Sequence, residues 1–143
     1  MHKLAFLALS PLALNAAPAL NPDVLQDTIH ETICVPGYTK TIRPPVSQTN
    51  KIKRQMMDKQ GLDQSIIPYF ALDHIIPMAL GEHPSDPSNL QLISHKENSK
   101  KSRFEVKLQC LVCTGQMTLK EAQRMMPIWE EVSSKMEWKK CRR

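Results

Sequence analysis

The sequence predicts a small α+β domain: two short strands and a helix, framed by further helices and stapled by disulfides. Three observations predict it. Two short extended runs lie between segments with helix caps and helical spacing. The chain has 143 residues, of which 41% are hydrophobic, enough for one modest core. The cysteines number four, an even count that suits two bridges.

The first nineteen residues read as a signal peptide. His2 and Lys3 form a basic start, and Leu4 to Leu14 is an apolar run shorter than the ~20 residues a membrane helix needs. Ala17-Pro18-Ala19 is a small-x-small site, so cleavage is expected after Ala19, with Ala16 the second choice. Pro11 and Pro18 oppose a continuous helix here. Residues 20–143 are then one mature, soluble domain, periplasmic or secreted, without a membrane span and expected to be a monomer. An oxidising compartment favours disulfides over a Cys110-x-x-Cys113 zinc half-site, which lacks a second half downstream. The preferred pairing is Cys34 with Cys113 and Cys110 with Cys141, although three pairings exist and spacing does not choose among them.

Each element has a local reason. Residues 21–34 are expected as a helix, with Asn21 as cap, Pro22 at the first position and Val24, Ile29 and Ile33 on a buried side. Pro36, Gly37, Pro44 and Pro45 make 35–46 a loop. A helix over 47–60 ends at Gly61, and its Lys51, Lys53, Arg54 and Lys59 read as a solvated face. Residues 69–76 form a strand stopped by Pro77, and 89–93 a second one after a turn-rich loop. Ser94 caps the next helix, with Glu97 completing a capping box, and that helix runs toward Cys110. Gly115 breaks it. Thr118 with Glu121 starts another, reaching Met126 or beyond, and 127–143 is expected helical with a basic end.

The chemistry concentrates in Leu72-Asp73-His74-Ile75-Ile76-Pro77, Asn89-Leu90-Gln91-Leu92 and Asn98-Ser99-Lys100-Lys101. Neighbouring strand side chains face opposite ways, so Asp73 and His74 share a site only where the strand bends or ends. A histidine suits general-base work near neutral pH, which gives His74 that role. A carboxylate on Asp73 and an amide oxygen on Asn98 suit a hard cation, Mg2+ with Mn2+ as substitute, better than zinc or nickel. The net charge of +5 and a pI of about 9.1 suit a polyanionic partner such as nucleic acid.

This compound pattern resembles the ββα-metal finger of the HNH (His-Asn-His) nucleases: Asp-His-Ile-x-Pro, a glycine-containing loop, Asn-Leu-x-x-Leu, then His or Asn followed by Lys. The resemblance covers about residues 69–103, roughly a quarter of the chain. With Asn98 at the last ligand position it is similar to the HNH domain of RNA-guided CRISPR nucleases, which share the Asn89-to-Asn98 spacing. It implies a secreted bacterial endonuclease of little sequence specificity that leaves 5′-phosphate and 3′-hydroxyl ends. DNA is favoured over RNA. In that frame His74 is the base, Asn89 fixes the loop behind it, and Asp73 and Asn98 hold the metal. His95 is a rival ligand, or an outer contact to metal or phosphate. Lys100, Lys101 and Arg103 are expected to hold backbone phosphates, and Arg43 to reach the scissile phosphate or serve structure. A non-catalytic scaffold that binds nucleic acid or an envelope protein is the alternative, and a toxin role would add an immunity protein as partner.

Overall fold

A computed structural model of the chain describes residues 17–137 and 141. Most of the expected signal peptide, residues 1–16, and most of the basic end, 138–140 and 142–143, lie outside them. The described fold is α+β: five helices, labelled α1 to α5, frame one two-stranded antiparallel sheet, and two disulfides staple it.

Residues 21–34 are not the expected helix. They form a chain of turns with one 3-10 segment, Gln26–Thr28. Side chains have captured the backbone groups a helix would use. The Asn21 side chain accepts from Asp23 N at 3.0 Å, and the Thr28 hydroxyl donates to Asp23 O at 2.8 Å and accepts from Leu25 N at 2.9 Å. Val24, Ile29 and Ile33 are nonetheless buried, so the apolar spacing was legible although the conformation was not. The expected loop that follows contains one short helix, α1 (Tyr38–Ile42), entered through Gly37 at φ 85°.

Helix α2 (Val46–Lys59) ends as expected at Gly61, φ 67°. A 3-10 stretch, Gln64–Tyr69, then leads into strand β1 (Phe70–His74), shorter than the predicted strand. The pairing gives way just past His74: Ile75 N still donates to Asn89 O opposite it at 2.7 Å, but Ile76 N turns to the Asn89 side chain at 2.9 Å. Strand β2 (Leu90–Ser94) pairs with β1 in a register that sets Asp73 opposite Gln91 and His74 opposite Leu90.

Helix α3 (His95–Cys113) starts at the Ser94 cap, whose hydroxyl accepts from Glu97 N at 3.2 Å. Glu97 leaves the expected capping box half-made and pairs with Lys100 instead, 3.0 Å away. Phe104, Leu108 and Val112 recur at helical spacing and are buried, each contributing roughly 1.5–3 kcal/mol relative to exposure. They meet Val24, Ile29, Ile33, Ile76 and Leu80 from one side and Leu119, Ala122 and Met126 from the other. The last three come from α4 (Leu119–Met125), which carries the full Thr118–Glu121 capping box, and from the 3-10 turn after it. The final segment is helical only over α5 (Trp129–Lys135) among the described residues. The disulfides join Cys34 to Cys113 and Cys110 to Cys141, with Cα separations of 5.6 and 6.0 Å.

Candidate active site

The loop between the strands is built to a fixed shape. Gly81 stands at φ 84°, and a Cβ there would lie 2.8 Å from Val24 Cγ1, so only glycine fits. The segment entering the domain lies along it: Leu20 bridges to Glu82, and Asn21 N donates to Gly81 O at 2.9 Å. Asp86 caps the 3-10 turn Pro87–Asn89, its carboxylate held below the ordinary range by the Ser88 hydroxyl and amide. That turn delivers Asn89, fully buried, against the end of β1. The Asn89 amide accepts from Ile76 N at 2.9 Å and donates to Ile76 O at 3.0 Å. Asn89 therefore works on the backbone two residues past His74, as a brace.

Where β1 ends, a cleft of about 370 Å³ opens between the strand, α3 and the chain before α2. Arg43, Asp73, His74, Asn98, Ser102 and Glu105 are among the side chains that line it. Adjacent Asp73 and His74 share it because His74 is the strand's last residue. The His74 ring is oriented by Pro84 of the loop: Nε2 lies 2.7 Å from the Pro84 carbonyl oxygen. A carbonyl only accepts, so Nε2 carries the proton and the neutral ring's lone pair sits on Nδ1. Asn98, Ser102 and Glu105 lie three and four residues apart and turn one face of α3 to the cleft. A larger groove, about 520 Å³, runs beside Cys34 and Cys110, but no carboxylate, imidazole, amine or free thiol lines it. The smaller cleft is lined by an imidazole, two carboxylates, an amide and a guanidinium.

Three side chains lie elsewhere or differ in kind from the sequence reading. His95 is exposed and bonds the Pro68 carbonyl through Nε2 at 2.9 Å, outside the cleft lining. Lys101 is not an exposed phosphate contact. It is fully buried, with its ammonium 2.9 Å from Asp73 Oδ2, 2.6 Å from Glu105 Oε1 and 2.7 Å from the His74 carbonyl oxygen. Its place on the Phe104–Leu108–Val112 stripe was the sequence signal for that burial. Lys53, read as part of a solvated face, instead donates to the Ile67 and Phe70 carbonyls and ties α2 to the start of β1. Lys100 and Arg103 remain outside the core, lining a groove with Lys107 and Ser133 on another side of α3 from the cleft. Glu105 and Ser102 were not anticipated.

The donor set in the cleft is sparse. Among the described residues no three His, Cys, Asp or Glu side chains gather as a metal site. Asp73 spends Oδ2 on Lys101 and on Gln91 Nε2 at 3.1 Å, which leaves Oδ1, and the Asn98 amide has no hydrogen bond among the described residues. One carboxylate oxygen and one amide oxygen are hard ligands. They fit Mg2+, which keeps most of its waters, and not a zinc-type cage.

Compared with known protein families, curated proteins and solved structures, the chain matches none.

Proposed function

We propose that this chain is a metal-dependent endonuclease that hydrolyses phosphodiester bonds, with β1, β2 and α3 serving as a ββα-metal finger of the HNH kind. The observation that carries the reading is the shared cleft of Asp73, His74, Asn98 and Arg43, with the imidazole tethered through Nε2. A tethered ring presents its basic nitrogen in one orientation, which is what a general base needs.

His74 Nδ1 takes a proton from water, and the water oxygen forms a bond to phosphorus opposite the 3′ oxygen. The P–O3′ bond breaks, leaving a 5′-phosphate on one fragment and a 3′ oxygen that takes a proton from solvent on the other. Asp73 and Asn98 would hold Mg2+, whose charge offsets the negative charge gathering on the phosphate and departing oxygens. Arg43, exposed at the cleft edge and without an ion pair among the described residues, adds a positive charge there. Asn89 holds the strand end that carries His74 and touches no reacting atom. Lys100 and Arg103 contribute backbone attraction that is blind to sequence, and DNA is the favoured substrate with RNA a second.

Two disulfides suit an oxidising compartment, which supports a periplasmic or secreted place of action. No described helix is long and apolar enough to cross a membrane. Incubating labelled DNA and RNA oligonucleotides with the oxidised protein and Mg2+ tests the reading through the ends produced. The expected products carry 5′-phosphates. Products with 3′-phosphates, or binding without cleavage in Mg2+ and Mn2+, contradict it.

A further inference from the structure

Lys101 puts a fixed unit charge beside the one carboxylate proposed to bind the cation. Its side chain has no exposure, and all three acceptors of its ammonium belong to the cleft wall: Asp73 Oδ2, Glu105 Oε1 and the His74 carbonyl. Two consequences follow. Asp73 Oδ2 is occupied by two donors, Lys101 and Gln91, so the carboxylate is locked in direction and can offer only Oδ1. Glu105, the second carboxylate in the cleft, is engaged through Oε1 as the ammonium's counter-ion. An ammonium this close to a divalent ion repels it, and burial keeps solvent from screening that repulsion.

We infer that Lys101 is a positioning residue that keeps the cation site incomplete until nucleic acid arrives. With Lys101 in place the free protein offers a divalent cation two oxygens and an opposing charge, so it binds the cation weakly. A phosphodiester in the cleft adds oxygens and negative charge, and cation and substrate then bind cooperatively, each raising the other's affinity by the same factor. The inference rests on the nuclease reading of Asp73 and Asn98, and it assigns to Lys101 a role other than the phosphate contact expected of it.

The test is Mn2+ titration followed by electron paramagnetic resonance, in a His74→Ala background that prevents turnover, with and without a duplex oligonucleotide. Lys101→Met and Lys101→Gln are expected to bind Mn2+ alone about ten-fold tighter than the parent, the scale of removing a unit charge from beside the ion. They are also expected to lose most of the tightening that the oligonucleotide gives the parent. With His74 restored, each should cleave about ten-fold more slowly or worse, since the metal is drawn toward Glu105. Glu105→Gln alters a partly exposed side chain and gives a second readout: turning the full ammonium charge onto Asp73 should weaken Mn2+ binding by about three-fold or more. Asp73→Asn should abolish binding in every background. Folded Lys101 variants that bind Mn2+ no tighter than the parent, or a Glu105→Gln protein of unchanged affinity, overturn the inference and leave the nuclease reading intact. Binding indifferent to Asp73→Asn overturns both.

Discussion

Glu82 is buried, and neither of its carboxylate oxygens has a hydrogen-bond partner among the described residues. Burial, helped by the nearby Asp86 carboxylate, raises its pKa from 4.5 to about 8. The folded protein therefore holds a proton that the unfolded chain gives up. Glu82 contributes stability that is fully present below pH 4.5 and is lost as pH rises through 8. His83, next in sequence, acts on Asp86 rather than relieving Glu82 directly. Thermal melts should show Glu82→Gln matching the parent near pH 4 and exceeding it at pH 9. Equal melting temperatures at both pH values would contradict the assignment. The residues of the cleft differ in how legible they were. Asp73, His74 and Asn98 stood out because their types and order suit one chemistry. Lys101 was misplaced because a basic run after Asn98 reads as phosphate contacts, and only the apolar stripe at 104, 108 and 112 puts that position inside. Nothing local distinguishes Glu82, whose burial depends on the segment from Leu20 crossing over its loop.

The joint between β1 and the turn before β2 holds the strand end that carries His74. It rests on Asn89, whose backbone oxygen takes Ile75 N and whose side chain satisfies both polar groups of Ile76. Asn89→Ala leaves a buried N–H and C=O unpaired, so urea denaturation should show a loss of about 2–4 kcal/mol. Cleavage should fall in the fraction that stays folded, because the strand end carrying His74 loosens. A loss below about 0.5 kcal/mol, the range of ordinary surface changes, would contradict the bracing role. Elements with a specific start or stop were readable: Thr118 with Glu121 for α4, Ser94 for α3, Gly61 for the end of α2. The segment 21–34 was not. Asn21 and Thr28 serve a helix cap and a string of turns equally well, and the tertiary contacts of Val24, Ile29 and Ile33 decide between them.

The molecule joins a small core to two covalent staples, and the staples are unequal. Cys34–Cys113 spans 79 residues and packs beside the core, whereas Cys110–Cys141 spans 31 and ties the chain's end to α3. Loop-closure entropy alone makes the longer bridge worth ~0.8 kcal/mol more. Replacing Cys34 and Cys113 by serine should therefore lower the melting temperature further than replacing Cys110 and Cys141, and dithiothreitol should lower it below either pair alone. The reverse order would mean that the C-terminal tether matters more than the core bridge. Count and compartment made two bridges foreseeable, but their partners depend on which face of α3 each cysteine occupies. The same helix α3 divides its faces among three surroundings. One face turns Asn98 toward Asp73 and His74, another fills the core, and a third carries Lys100 and Arg103. Plasmid nicking by the oxidised protein in Mg2+, compared with EDTA and with His74→Ala, tests the proposed nuclease chemistry. Metal-dependent nicking is expected, and His74→Ala should reduce it by about 10²-fold or more, the scale of losing a general base. Nicking that survives His74→Ala, or none from the folded parent, would contradict it.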